Sequence, residues 1–349
     1  MESLYVTEPG CYLRRDGKSI NILKKRRIIE KIPADDLKKI LLVGYVSLTG
    51  GVMDFLIKNR IETVFLTPTG RFRARLGIDE HKHVAMRRVQ YLQLSNDLFT
   101  VKTAGSIVAG KIENMTRFLL LRARQYQSDP LRKAAARIRI IKTACEQEVD
   151  NLDRIRGFEG AATRIYFSVF SNLIKHPEFK FNGRNRRPPL DPVNALLSFV
   201  YTLLTNEVLS AITASGLDPY MGALHEIAYG RPSLACDLVE EYRSFLGDRL
   251  VLGIINRRMI TPDDFVYRKS PPANFIDEHE MKKKRPVEMK PVIMKALIGT
   301  YEEMMNRNIY YPPDDKKISY RWLIHRQVWA FGSYLKRPEK TYKSFKWES

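Results

Sequence analysis

Near Asp79 the hydrophobic pattern of this chain changes its period, and the change divides the chain into two kinds of structure. Before it come short apolar or β-branched runs: Tyr5-Val6-Thr7, Ile40-Leu41-Leu42-Val43-Gly44-Tyr45-Val46 and Thr63-Val64-Phe65-Leu66. Turn material separates them, as in Arg15-Asp16-Gly17, Thr49-Gly50-Gly51 and Pro68-Thr69-Gly70. Phe72-Arg73-Ala74-Arg75-Leu76 reads as a further strand with basic residues on one face. No strand–helix alternation of the doubly wound kind is visible in this part. After Asp79 long amphipathic segments follow, at 80–96, 104–127, 129–176, 191–215, 219–229, 233–248, 290–307 and 319–335. The expected class is therefore α+β with two domains. A small, mainly antiparallel N-terminal β-domain occupies residues 1–85, and a larger, almost all-α domain occupies 86–349. A chain of 349 residues has room for both.

Local punctuation supports the helical reading. Asp191 is placed to cap, Pro192 takes the first helical position and Gly216 follows the last. Asp218 and Pro219 repeat the device, which predicts a helix over 219–229 that ends near His225. The stretch Lys269–Lys290 is Pro-rich and highly charged and reads as a surface loop. There is no internal repeat and no low-complexity tract.

Charge narrows the partners. The chain has 59 Lys+Arg against 39 Asp+Glu, a formal net charge of +20, so it favours an anionic partner. The uncharged runs around Ile40–Met53 and Pro192–Asn206 fall short of the roughly 18–20 residues of a spanning helix, so no membrane is expected. The N-terminus MESLYVTEPG has acidic residues and no apolar core of a secretory signal. Three distant cysteines, Cys11, Cys145 and Cys236, exclude a C-x-x-C zinc site and fit a reducing cytoplasm. The basic residues cluster: Lys24 to Arg27; Arg122, Arg124, Arg132, Lys133, Arg137 and Arg139; Arg184, Arg186 and Arg187; Lys282 to Arg285; Lys336 to Lys346. Some are interleaved with rings, as in Tyr342-Lys343-Ser344-Phe345-Lys346-Trp347. Phosphate neutralisation combined with stacking is what a DNA-binding surface requires.

On such a surface carboxylates are unwelcome unless they hold a cation, which makes them candidates for metal ligands. Glu159 sits between Phe158 and the small run Gly160-Ala161-Ala162, beside the helical stripe Ile155, Phe158, Ala162, Ile165. By itself it reads equally as the rim of a core helix, paired with Arg156 or Arg164. Further on, Ser233 can cap a helix that carries Asp237 and Glu240 at i and i+3, on one face. The Gly230-Arg231-Pro232 turn can fold His225 back toward that face. These residues alone also admit a core histidine, an Asp237–Arg231 pair and a Glu241–Arg243 pair.

The ordered set goes further. Phe158-Glu159-Gly160-Ala161-Ala162 with Tyr166-Phe167 is followed by Asn182 to Pro189 and by Asn194 to Tyr201. Then come Gly216-Leu217-Asp218-Pro219, His225 and Arg231 to Arg243, with Lys111 and Asn114 earlier and Tyr320 to Gln327 later. In order and spacing this set resembles the CRISPR-associated spacer-acquisition integrases, the universal first protein of CRISPR adaptation, over residues 5–345. The resemblance implies an N-terminal β-domain for dimerisation and partner contact, and a helical catalytic domain. It implies a Mg²⁺ or Mn²⁺ site made of Glu159, His225 and Glu240, with Asp237 as an auxiliary acid. Many members have Asp where this chain has Glu240, and either supplies a hard oxygen. The implied reaction is strand transfer: the 3′-hydroxyl of a captured spacer precursor attacks a phosphodiester at the CRISPR repeat boundary, and water in its place gives endonuclease activity. The implied partners are double-stranded or branched DNA, a second copy in a homodimer, and the small ferredoxin-like second CRISPR-associated protein. Arg184, Arg186, Arg187 and Tyr166 are the candidate DNA contacts, whereas Asn194 is expected to brace helix packing. Two other readings compete. Ile324-His325-Arg326-Gln327 with Tyr334 could serve a metal-independent tyrosine recombinase, and the chain could be a non-catalytic basic DNA-binding protein.

Overall fold

The computed structural model describes residues 3–68, 70, 72–77, 83–148, 150–185, 188–267 and 287–347. The first part is strand-rich, as its sequence pattern predicts. The strands are β1 (Ser3–Val6), β2 (Tyr12–Asp16), β3 (Ser19–Lys24), β4 (Arg27–Pro33), β5 (Lys39–Val43) and β6 (Ser47–Leu48), then β7 (Glu62–Leu66) and β8 (Phe72–Leu76) after one helix, α1 (Gly50–Lys58). They form two sheets, of order β1-β5-β7-β8 and β4-β3-β2-β6.

The sense of these strands is mixed rather than mainly antiparallel. β1, β5 and β7 run parallel, β8 closes that sheet antiparallel, and β6 lies parallel to β2. The helix α1 accounts for the difference. It begins at the Gly50-Gly51 pair that reads as a turn, buries Val52 and Leu56 one turn apart, and carries the chain across so that β7 returns parallel to β5. All five residues of β5 are buried. Ile40 and Leu42 face the core of the strand-rich part, while Leu41 and Val43 face the helical core. A strand covered on both faces reads as an unbroken apolar run, as this one does.

The helical part follows with α2 (Val84–Leu94), α3 (Asp97–Tyr126), α4 (Asp129–Gln147), α5 (Leu152–Ser168), α6 (Pro192–Ala214), α7 (Ser233–Leu238), α8 (Glu240–Tyr242), α9 (Arg249–Asn256), α10 (Pro291–Met305) and α11 (Tyr320–Leu335). Side-chain caps start several of them: Asn96 Oδ1 accepts from Phe99 N–H, Asn151 Oδ1 from Arg154 N–H and Asp191 Oδ1 from Asn194 N–H. The segment 129–176 is two helices, because the chain is extended at Glu148 and restarts at the Asn151 cap. By length and composition α6 is apolar enough to cross a bilayer, but 72% of its hydrophobic window is buried within the protein, which makes it a core helix. The helix expected over 219–229 does not form; Asp218 caps a turn at Tyr220 N–H instead. Two short antiparallel pairs lie late in the chain: β9 (Phe265–Tyr267) with β10 (Val287–Met289), and β11 (Asn308–Tyr311) with β12 (Lys316–Ser319). The end of the expected loop 269–290 is thus a buried strand, and Lys282 to Arg285 lie outside the described residues.

Candidate active site

Three elements meet at the carboxylates. α3 passes through the middle of the helical part and is buried along most of its length, Lys111 included. α5 packs beside it and turns Glu159 toward Lys111, whose ammonium pairs with Glu159 Oε1; Thr163 Oγ1 donates to the same oxygen at 3.0 Å. From α8, Glu240 Oε2 lies 2.7 Å from Lys111 Nζ, and Glu240 Oε1 lies 2.6 Å from an Arg243 guanidinium nitrogen. Glu240 Oε2 is buried, and among the described residues its charge partner is the Lys111 ammonium. Burial by itself would raise the Glu240 pKa, but Arg243 and Lys111 outweigh it and hold the group at about 2. Glu240 is therefore ionised at any physiological pH, whereas the Glu159 side chain keeps 27% of its surface exposed. A Cβ added at Gly157 or Gly160 would meet nothing within 4 Å, so the flank beside Glu159 is open. Ala162, on the other side, is packed into the core.

The loop where a helix was expected is shaped by Asp237. This carboxylate is fully buried and accepts four hydrogen bonds. Ala223 N–H and Leu224 N–H donate to Oδ2 at 2.6 and 3.0 Å, and His225 N–H donates to Oδ1 at 3.0 Å. His225 Nδ1 lies 2.7 Å from the same Oδ1. An ionised carboxylate only accepts, so it fixes the ring proton on Nδ1 and leaves the Nε2 lone pair available. Gly222 is required here, since a Cβ would lie 2.5 Å from Asp237 Oδ2 and 2.7 Å from the Ser233 carbonyl carbon. Arg156 of α5 donates to Leu224 O at 2.9 Å and ties the loop to the helix that carries Glu159. Asp237 thus acts through His225. Its acceptor directions are used by the protein, and the contact to Nδ1 orients the His225 ring.

The predicted site residues therefore converge on one region, with a difference in detail. Among the described residues no three His, Cys, Asp or Glu side chains stand close enough together to hold a metal ion as they are placed. The positive charge between Glu159 and Glu240 is the Lys111 ammonium. Glu159 pairs with neither Arg156 nor Arg164, and Glu241 does not pair with Arg243.

The candidate DNA contacts fare differently. Tyr166 is 1% exposed and its hydroxyl donates to Asp248 Oδ2 at 2.7 Å, so it offers DNA no surface. Arg184 donates to Asn194 Oδ1 at 2.7 Å and to Ser198 Oγ at 3.1 Å, with its guanidinium over the Tyr201 ring. Asn194 also donates to Gly183 O at 2.9 Å, so it braces the loop before α6. Arg186 and Arg187 lie outside the described residues. The interleaved rings of the C-terminal basic run also turn inward: Tyr342 and Trp347 are 4% and 5% exposed, while Lys343 and Lys346 face solvent. Tyr334, the nucleophile of the recombinase reading, is buried, stacked on Phe99 and bonded to Thr103 Oγ1 at 2.9 Å.

Residue-level reading assigned no role to Lys111 or Asp248, and it paired Arg243 with Glu241 where the structure pairs it with Glu240. Lys111 carried a signal: a single cation inside the apolar run Thr103 to Ile112 needs a carboxylate to face it. Arg243 and Asp248 open and close a π-helical segment, Arg243–Asp248, of the kind that gathers at functional sites. Asp248 accepts from Tyr166 and from Tyr201, the latter at 2.5 Å, and burial pushes its pKa up to about 6 despite those two bonds.

Comparison with known proteins gives this site its family. The sequence profile described as CRISPR associated protein Cas1 matches residues 4–284. The chain is 36% identical to CRISPR-associated endonuclease Cas1 1 of Chlorobaculum tepidum, over 99% of this chain and 98% of that one. It has the fold of a chain in a Cas6-RT-Cas1–Cas2 complex, with a TM-score of 0.83 and 21% identity over 99% of this chain and 36% of that one. A casposase bound to integration product shares the fold at a TM-score of 0.81 and 21% identity, over 100% of this chain and 95% of the other. The profile match and the near full-length identity show that this chain belongs to the Cas1 family of CRISPR-associated proteins.

Proposed function

We propose that this chain is a DNA integrase and endonuclease of CRISPR adaptation that works with a divalent metal ion, Mg²⁺ or Mn²⁺, held by Glu159, His225 and Glu240. The observation that carries the reading is the state of Glu240: buried, held ionised at about 2, and facing Glu159 across the Lys111 ammonium. Glu159 stands across Lys111 from it, and the His225–Asp237 pair offers an imidazole of fixed tautomer. Two hard-oxygen donors and an oriented imidazole match a small divalent cation in chemistry, and binding it would draw them together and displace the Lys111 ammonium.

When bound, the metal would polarise a phosphodiester and stabilise the charge that develops on its oxygen. The chain's own groups supply the rest. Asp237 keeps the His225 proton on Nδ1 and so leaves the Nε2 lone pair available. Lys111 and Arg243 compensate the carboxylates. The open flank at Gly157 and Gly160 leaves room for a DNA backbone beside Glu159. Exposed Arg124, Arg132, Lys133, Arg137, Arg139, Lys336, Arg337, Lys340, Lys343 and Lys346 supply backbone-neutralising charge. The substrates are captured double-stranded or branched DNA and the CRISPR repeat. The reaction is attack of a 3′-hydroxyl, or of water, on the phosphodiester. The printed names of the relatives, an endonuclease, a casposase with its integration product and a complex with Cas2, support this reading and a Cas2-type partner. The partner's ferredoxin-like fold and a homodimer joined through the strand-rich part complete the proposal.

The test is joining of branched DNA by purified protein with Mn²⁺. Product that disappears with EDTA and with His225→Ala is the expected outcome. Joining that survives both would overturn the metal reading.

A further inference from the structure

Residues 341–347 run back from the end of α11 across α3 as an extended strap. Asn114 of α3 holds it with its whole side chain: Oδ1 accepts from Trp347 N–H at 2.8 Å, and Nδ2 donates to Phe345 O at 2.9 Å and to Glu241 O at 2.8 Å. Gln327 Nε2 donates to Lys343 O at 2.6 Å, and Arg117 donates to Trp347 O at 2.6 Å. Ser344 sits against Gly110, where a Cβ would lie 2.1 Å from the Ser344 Oγ. Phe345 and Trp347 pack on Phe245, and Phe345 also on Tyr242.

Two features link the strap to the candidate site. Its anchors on α3, Gly110 and Asn114, flank Lys111. It also holds buried Glu241, the neighbour of Glu240. Glu241 is fully buried, and its donors among the described residues both come from the strap: Tyr342 Oη at 2.6 Å on Oε1 and Phe345 N–H at 2.7 Å on Oε2. Among the described residues no cation lies against it. A buried carboxyl group deprived of these two donors leaves its oxygens unpaired and turns toward water. In the three-residue helix α8 that turn carries Glu240 with it.

We propose that Tyr342 and Phe345, acting through Glu241 and Asn114, are positioning residues for Glu240, so that strap docking and divalent-metal binding strengthen each other. This rests on the reading of Glu240 as a metal ligand. The coupling is reciprocal: a bound metal holds the strap as firmly as the strap holds the site.

The chain has three tryptophans, of which Trp322 and Trp329 are exposed, so W322F/W329F leaves Trp347 as the sole reporter of the strap. In that background Mn²⁺ affinity is read from the EPR signal of the free ion, and Trp347 exposure from acrylamide quenching with and without Mg²⁺. The parent is expected to bind Mn²⁺ and to quench less with Mg²⁺. Tyr342→Phe, which keeps the ring and removes the bond to Glu241, is expected to weaken Mn²⁺ by about 10- to 100-fold, as outer groups of metal sites do. Glu240→Gln tests the underlying reading separately, since unchanged Mn²⁺ affinity in that variant would remove the ligand and leave the strap bonds intact. If Glu240→Gln loses Mn²⁺ while Tyr342→Phe keeps parental affinity, the positioning role is overturned.

Discussion

Replacing Asp237 by Asn tests the reading that this residue orients His225 instead of binding metal. The two side chains have the same shape, so the effect comes from charge and hydrogen-bond direction. Asn offers one acceptor oxygen where Asp offers two. With that oxygen on Ala223 and Leu224 N–H, the amide NH₂ points at the His225 N–H, which is left without an acceptor. An orphaned buried N–H costs about 1–3 kcal/mol, and each retained bond loses its charge assistance, about 1 kcal/mol, so the loss of stability comes to roughly 3–5 kcal/mol. The same exchange inverts the ring. Nδ1 now accepts from the amide, the proton moves to Nε2, and the lone pair that would face a metal disappears. Mn²⁺ affinity should therefore fall although Glu159, His225 and Glu240 are unchanged, by about 10- to 100-fold as for other outer-sphere changes. Chemical denaturation gives the first quantity and EPR of free Mn²⁺ the second. An Asp237→Asn variant that unfolds at the wild-type denaturant concentration would refute the four-bond cradle and leave Asp237 free to be a ligand.

Two further outcomes follow from other buried groups. The folded-state pKa of Asp248 is raised to about 6 from its ordinary 3.8. The folded protein thus keeps a proton that the unfolded chain has lost, and stability falls as pH rises from about 4 to about 6, by about 3 kcal/mol from this group. Asp248→Asn should flatten that slope in denaturation at pH 4 and pH 7, and slopes equal to wild type would contradict it. Tyr334→Phe removes one hydrogen bond, worth about 1 kcal/mol, and should leave DNA joining unchanged. Lost joining together with a covalent protein–DNA link in the wild type would restore the recombinase reading.

Much of the architecture was legible in the sequence because periodicity is local. The switch near Asp79 separates strand-rich from helical chain, and the Asp191, Pro192, Gly216 set brackets α6 to within a residue. What failed locally failed for stated reasons. α1 begins at two glycines, and the expected helix 219–229 gave way because Asp237, from a later helix, takes three of its backbone N–H groups. Glu159, His225 and Glu240 became candidates through their order along the chain, which the family resemblance reads directly. The interleaved rings and lysines at the C-terminus looked like a stacking surface. In an extended strap, alternation instead sends Tyr342 and Trp347 inward and Lys343 and Lys346 outward.

The sequence by itself determined the class of fold, the basic character of the surface and the residues that carry the candidate chemistry. Only the tertiary structure decided their roles, because charge state and hydrogen-bond partners depend on what lies across space. Lys111 comes from 48 residues before Glu159 to stand between it and Glu240, and Tyr342 comes from 101 residues after Glu241 to hold the helix that presents Glu240. A carboxylate acts as ion-pair partner, brace or anchor according to whether it meets a cation, backbone N–H groups or a buried hydroxyl. Glu240, Asp237 and Glu241, within five residues of one another, meet one of each.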